Sequence, residues 1–79
     1  MKLPRDLSGE ALIKALCKHW AYRRVHQTGS HVVLETDELF PQRIAVPAHR
    51  ILRIGTLNSL LRAVARHKGV SREELLVSL

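Results

Sequence analysis

The sequence is poor in cysteine, in aromatic residues and in long apolar stretches. Its single cysteine, Cys17, cannot form a disulfide within the chain and is expected to pack in the core. With only Trp20, Tyr22 and Phe40 as aromatic residues, the core must consist mainly of Leu, Val, Ile and Ala. Because no apolar stretch is long enough for a signal peptide or a membrane span, we expect a reducing, cytoplasmic location.

Acidic residues are also scarce. The chain has 7 Asp and Glu against 13 Lys and Arg, a formal net charge of +6, and most of the basic residues are arginine. The planar guanidinium of arginine matches phosphate oxygens and stacks on bases, so this balance predicts a nucleic-acid partner. An anionic membrane is disfavoured, because no segment combines a Lys-rich face with an aromatic insertion face. A basic surface that is merely solvated is the alternative.

Chain length and hydrophobic spacing predict one small domain, residues 1–79, because a chain this short cannot support two cores. Ser8 is a candidate cap for a first helix, and Thr56 for a second helix that ends at Gly69. A Ser71–Glu74 capping box opens a third helix. The apolar positions expected to be buried are Leu12, Ile13, Leu16, Cys17 and Trp20, then Leu57, Leu60, Leu61, Val64 and Ala65, and finally Leu75, Leu76 and Leu79.

Three short segments bounded by turn residues predict β-strands at residues 22–27, 31–36 and 43–46. Because side chains alternate between the two faces of a strand, five apolar side chains are predicted to face the helices: Val25, Val32, Leu34, Ile44 and Val46. The opposite, open face then carries Tyr22, Arg24, His26, His31, Glu35 and Arg43. The predicted order α-β-β-β-α-α is an α+β fold with a three-stranded antiparallel sheet and helices on one face. Double-stranded-RNA-binding domains also use this arrangement.

His31 is the first candidate for a catalytic residue. It follows a turn formed by Gly29 and Ser30, where glycine lets the backbone approach a ligand closely. RNA cleavage needs a base for the neighbouring 2′-hydroxyl, an acid for the leaving oxygen and cations near the phosphate. Imidazole suits proton transfer near neutral pH, so a shallow basic surface can perform this reaction. An exposed histidine at a hairpin end, with no catalytic role, is the alternative.

The 5 histidines of the chain raise the question of a metal site. No Cys-x-x-Cys or His-x-x-x-His spacing occurs, so we expect neither a metal nor another cofactor. A nucleophilic pair of Ser30 and His31 is disfavoured, because adjacent strand residues point to opposite faces. His26 and His49 are candidates for a second acid or base, and a plain surface role is the alternative for each.

Phosphate contacts are predicted on the sheet and at the start of the second helix. Gly55–Thr56 would present free backbone amides and the positive end of the helix dipole, with Arg50 and Arg53 just upstream. Arg62 and Arg66 follow helical spacing on the polar side of that helix, where plain solvation is the alternative. The RNA contacts that we predict are Arg24, Gly29, Ser30, Arg43, Arg53 and Thr56.

Four short motifs together resemble the HicA family of bacterial and archaeal toxins. In order, they are Gly29-Ser30-His31, Ile44-Ala45-Val46-Pro47-x-His49, Gly55-Thr56-Leu57 and Leu60-Leu61-Arg62. The resemblance runs from the first helix to about Leu76. It implies a double-stranded-RNA-binding-like fold and metal-independent cleavage of messenger RNA, with His31 as the catalytic histidine. It also implies a HicB-like antitoxin that masks the active surface. We expect a monomer when the toxin is free and a hetero-oligomer with the antitoxin.

Two features depart from the family pattern. Residues Ala65–Lys68 lengthen the second helix by about one turn, and the loop Asp37–Gln42 is acidic with an exposed-looking Phe40. Both bear on which antitoxin is recognised. Two other functions stay open at this point: a non-catalytic RNA-binding module of the same fold, and a protein whose basic face docks only an acidic partner chain.

Overall fold

The computed structural model describes Leu3 and residues 6–79. In chain order its elements are α1 (Gly9–His19), β1 (Arg23–Thr28), β2 (His31–Thr36), β3 (Gln42–Pro47), α2 (Ile54–Lys68) and α3 (Arg72–Val77). The strands form one antiparallel sheet in the order β1-β2-β3. The predicted α+β fold and element order are therefore confirmed. Within the described part of the chain, no helix is long and apolar enough to cross a membrane.

Several helix boundaries follow local sequence signals. The Ser8 hydroxyl accepts a hydrogen bond from the Ala11 amide at 3.0 Å, which caps α1 as predicted. Gly69 adopts the left-handed conformation, with φ of 67°, and ends α2. Ser71 and Glu74 form the predicted capping box of α3.

The prediction that Thr56 caps α2 is wrong. The helix begins at Ile54, and the N-cap residue is Arg53, whose carbonyl accepts from the Leu57 amide at 2.9 Å. Burial of Leu57 against the sheet fixes this earlier start, and no side chain caps it. The amides of the first turn are therefore left for solvent or a ligand.

The core lies between the helices and one face of the sheet. Its fully buried members are Leu12, Ile13, Leu16, Tyr22, Val32, Leu34, Val46, Leu52, Leu57, Leu61, Val64 and Leu75. Cys17 is partly buried against this core, as expected. Burial raises the pKa of its thiol, and the nearby Arg24 charge lowers it by less. Leu79 was predicted to join the core but is exposed, because α3 ends at Val77 and points the chain end outward.

A β-bulge in β1 overturns three of the predicted side-chain directions. Arg24 lies opposite Leu34 and His26 lies opposite Val33, so Val25 is an extra residue. Val25 is 40% exposed rather than buried. Arg24 shares the helix-covered face with Leu34, and Tyr22 lies in the core at 3% exposure, so neither is on the open face.

We call the sheet face that the helices leave uncovered the open face. The register places His26, His31, Glu35 and Arg43 there, as predicted, and adds Arg23. The complete set is Arg23, His26, Thr28, His31, Val33, Glu35, Arg43, Ala45 and Pro47.

Candidate active site

The turn between β1 and β2 positions His31. Thr28 and His31 form the last pair of the ladder, which leaves a two-residue turn of Gly29 and Ser30. Gly29 has φ of 58°, and glycine in the first position is typical of a type II′ hairpin turn. The Gln27 side-chain amide donates to the Gly29 carbonyl at 3.0 Å and supports this geometry. His31 therefore begins β2 as an exposed side chain at the end of the open face.

The segment after β3 is held by main-chain hydrogen bonds to distant parts of the chain. The Ala48 amide donates to the Ser30 carbonyl at 2.6 Å, which ties the segment to the hairpin turn. The Leu52 amide donates to the Leu7 carbonyl at 2.8 Å, and the Leu52 side chain is buried in the core. These bonds fix the path of the backbone on both sides of His49.

Gly9, the first residue of α1, makes the third link. Its amide donates to the His49 carbonyl at 2.9 Å. A Cβ atom at this position would lie 1.8 Å from the Pro47 carbonyl oxygen, so only glycine allows the approach. Sequence reasoning missed this residue, because the contact is tertiary; a glycine directly after a good N-cap residue, where it disfavours the helix, was the one local sign.

Between the end of the sheet and the start of α2 lies an open hollow of about 470 Å³. We call it the histidine hollow. Four predicted site residues line it together: His31, His49, Arg53 and Thr56. Its remaining lining was not predicted and consists of Ala45, Pro47 and Leu52.

The polar side chains of the histidine hollow are two imidazoles, one guanidinium and the Thr56 hydroxyl, and no carboxylate occurs among the described residues that line it. Arg53 is exposed, and it precedes the uncapped first turn of α2, whose amides and dipole favour an anion. The Ser30 hydroxyl oxygen lies 3.4 Å from Nε2 of His49, a long contact that joins the hairpin turn to the second histidine. The hollow therefore has the charge and the proton-transfer groups that a phosphate diester requires.

Three predicted residues, His26, Arg24 and Arg43, lie apart from the hollow. His26 is on the open face, where its Nε2 atom is 2.9 Å from the Thr28 hydroxyl, and it does not line the hollow. Arg24 is on the helix-covered side of the sheet and pairs with Glu10 of α1 at 2.5 Å. None of the three is brought together with His31 and His49.

Arg43 is at the far end of the sheet, in a cluster of charges on the open face. Arg43 donates to Glu35 at 2.7 Å, and Arg23 donates both to Glu35 at 2.6 Å and to Asp37 at 3.1 Å. The hydrogen bond from Arg43 is the largest cause that holds the pKa of the Glu35 carboxyl below its ordinary value; desolvation opposes it, and the charges of Arg43 and Arg23 add to the lowering. Two cations and two anions cancel here, so the predicted phosphate contact of Arg43 competes with Glu35.

The histidine content of the chain raised the question of a metal site. Across Leu3 and residues 6–79, no group of three or more His, Cys, Asp or Glu side chains is arranged so that it could hold a metal ion.

Comparison with known proteins adds no assignment. The chain matches no protein-family model, no curated protein and no solved structure.

Proposed function

We propose that this protein is a HicA-like toxin, an endoribonuclease that cleaves messenger RNA in the histidine hollow without a metal ion. The observation that carries the proposal is the convergence of His31, His49 and Arg53 in one open hollow. The motifs that resemble the HicA family contribute the first two of these residues, and Arg53 lies between two of the motifs. The net charge of +6 supports a polyanionic substrate.

The proposed reaction is attack by the 2′-hydroxyl on the adjacent phosphate. His31 removes the 2′-hydroxyl proton, and the 2′-oxygen forms a bond to phosphorus while the bond to the 5′-oxygen breaks. His49 gives a proton to that leaving oxygen. Arg53 and the uncapped amides at the start of α2 offset the charge that develops on the non-bridging oxygens. The products are a 2′,3′-cyclic phosphate and a 5′-hydroxyl.

The shape of the hollow favours unpaired RNA. His31, His49 and Arg53 are all exposed, so a single strand can reach them without a deep cleft. The turn residues Gly29 and Ser30 stand beside the hollow. Their carbonyls are already used by Gln27 and Ala48, so their contacts to the sugar-phosphate backbone would be made by the Ser30 hydroxyl or by the turn amides. Proteins that recognise RNA by its sequence also bind mostly single-stranded segments, whose bases are accessible.

The proposed partner is a HicB-like antitoxin in the cytoplasm, which would convert a monomeric toxin to a hetero-oligomer. Ile51 and Ile54 flank Arg53 and are 56% and 43% exposed. Exposed apolar side chains beside a functional site are typical of surfaces that a protein partner covers. Such a partner would mask the hollow. A neighbouring reading frame that encodes a HicB-like protein would support this pairing.

The test is cleavage of a short RNA by purified protein in EDTA. We expect cleavage to continue, products to end in a cyclic phosphate and a 5′-hydroxyl, and RNA with a 2′-deoxy or 2′-O-methyl sugar at the scissile position to resist. A 5′-phosphate product, or activity that chelation abolishes, would show that a metal-activated water is the nucleophile. RNA binding without cleavage would instead favour the non-catalytic RNA-binding module.

A further inference from the structure

Phe40 is an exposed aromatic side chain that is nevertheless held in place. Its ring is 55% exposed and packs on the His67 imidazole, with 4.2 Å between centroids and 52° between planes. Nε2 of His67 donates to the Phe40 carbonyl at 2.6 Å, and His67 itself is 4% exposed. A buried histidine therefore anchors both the backbone and the ring of Phe40, which lowers the entropy that ligand binding would cost.

This ring forms one wall of a second cavity, of about 260 Å³, at the opposite end of β2 and β3 from the histidine hollow. Its lining is Phe40, Gln42, Ala63, Arg66 and His67. The Gln42 amide is already used, since it donates to the Ala63 carbonyl at 3.2 Å and accepts from the Tyr22 hydroxyl. The groups left for a ligand are the Phe40 ring and the Arg66 guanidinium.

His67 also leaves one polar atom beside the cavity unpaired. Its Nε2 atom is used by the Phe40 carbonyl. Its Nδ1 atom is buried and has no hydrogen-bond partner among the described residues. Buried polar atoms without a partner are uncommon in folded proteins, so the His67 side of the cavity is incompletely satisfied within the described part of the chain.

An exposed stripe of α2 without acidic residues runs between the two cavities, and its second half carries two arginines. Gly55, Ser59, Arg62 and Arg66 are exposed and follow one another at helical spacing, so they form a stripe about 17 Å long. Neither arginine has an ion-pair partner in the described part of the chain. The stripe starts beside the histidine hollow and ends at Arg66.

We propose that Phe40 and Arg66 form a second nucleotide-binding subsite, which takes a base on the Phe40 ring and a phosphate on Arg66. This subsite rests on the proposed function, because it assumes an RNA substrate. It would bind the part of an RNA strand that extends beyond the histidine hollow. Single-stranded nucleic acid is held in this way by proteins that combine a positively charged track with aromatic stacking platforms.

The acidic residues of the loop do not oppose this assignment. Asp37 is paired with Arg23, and Glu38 acts electrostatically on Lys68, whose pKa is lowered by desolvation and raised by a smaller amount by Glu38. The negative charges of Asp37 and Glu38 are therefore balanced by Arg23 and Lys68, whereas Arg62 and Arg66 are available to phosphates.

The test uses the full chain, a 2′-O-methyl trinucleotide that fills only the histidine hollow, and a 2′-O-methyl dodecanucleotide. We expect Phe40→Ala to weaken binding of the longer RNA by about 5- to 150-fold, the range for loss of one stacked base, and to leave trinucleotide binding unchanged. Phe40→Trp should restore binding. Arg66→Gln should weaken binding of the longer RNA. It should also lower the slope of log affinity against log salt concentration by about 0.7, the contribution of one phosphate contact to a single strand.

Two exposed side chains provide matched controls. Leu39→Ala removes a neighbouring apolar group that is 75% exposed and outside the cavity lining, and Lys14→Gln removes one charge from α1. Unchanged affinity of both Phe40→Ala and Arg66→Gln for the longer RNA, with the fold intact, overturns the proposal and points to a protein partner for this surface. If the unsubstituted chain binds neither RNA, the proposed function fails as well.

Discussion

The Ala48 amide donates a hydrogen bond to the Ser30 carbonyl at 2.6 Å. This bond joins the residue before His31 to the residue before His49, so main-chain atoms hold the backbone positions of the two histidines near each other. Under the proposed function, this arrangement would place both proton-transfer groups at the same phosphate.

We expect His31→Ala and His49→Ala each to lower the cleavage rate by about 10²- to 10⁴-fold, the usual contribution of one acid or base. Both side chains are exposed, so the far-ultraviolet circular dichroism spectrum and the thermal midpoint should not change. Single-turnover cleavage of a labelled RNA measures the effect, and the unsubstituted protein should give a bell-shaped pH–rate profile if the proposed reaction is correct.

His26→Ala is the matched control, because His26 is also an exposed open-face histidine but lies outside the hollow. It should retain nearly full activity. If His26→Ala loses activity while His49→Ala keeps it, the assignment of the second proton-transfer group to His49 is wrong.

Gly9→Ala should lower the free energy of unfolding by about 1–3 kcal/mol or more, because the new methyl group overlaps the Pro47 carbonyl and must displace the segment that carries His49. Activity should fall with stability. Gly55→Ala provides the comparison: a Cβ there meets nothing within 4 Å, and alanine favours helix, so stability should stay level or rise by up to about 1 kcal/mol. Urea denaturation of both variants measures their free energies of unfolding. Equal values for Gly9→Ala and Gly55→Ala would contradict the close approach of Gly9 to the Pro47 carbonyl.

Glu35→Gln should tighten RNA binding a few-fold and steepen its salt dependence, because it releases Arg43 and leaves Arg23 with Asp37 alone. Each additional phosphate contact adds about 0.7 to the slope for a single strand. Glu10→Gln removes the same charge but releases Arg24 on the helix-covered side, so it separates the local effect from the change in net charge. Equal responses of the two variants would mean that Arg23 and Arg43 do not contact RNA.

Tyr22 should titrate late in the folded protein. Burial raises the pKa of its phenol from 10.0 to about 12. Between these values the folded chain holds a proton that the unfolded chain has lost, so stability is full below pH 10 and falls as the pH rises toward 12. Tyr22 is the single tyrosine, so phenolate absorbance reports it directly. A midpoint near 10.0 without denaturant would contradict its burial.

Local signals predicted much of the fold. Ser8, Gly69 and the capping box at Ser71 act through hydrogen bonds or backbone conformations that span only a few residues, and the structure has them where the sequence places them. Alternation likewise predicted the faces of β2 and β3, because both strands are regular.

The errors arise where alternation is interrupted or where tertiary contacts decide. Because Val25 is an extra residue, the side chains before it point to the opposite faces from those that simple alternation predicts. Arg24 therefore leaves the open face, and Arg23 takes its place there. Counting residues along the sequence cannot detect a bulge. The start of α2 was misplaced for a different reason, because burial of Leu57 outweighs the capping preference of Thr56.

The candidate site was predicted in its parts but not as an assembly. His31, His49, Arg53 and Thr56 were each proposed from local features, and the structure brings them to one hollow. The choice between His49 and His26 depends on how the segment after β3 packs against α1. The glycine that allows this packing, Gly9, lies 40 residues from His49 in the chain.

The main-chain hydrogen bonds on both sides of His49 also bear on how this protein can evolve. Exposed side chains such as Arg50 and Ile51 take no part in those bonds, so substitutions there leave the backbone path unchanged. The surface next to the hollow can therefore change in charge and shape while the backbone geometry of the hollow is kept. Under the proposed function, two copies of such a gene in one genome would be free to diverge until each binds its own antitoxin alone.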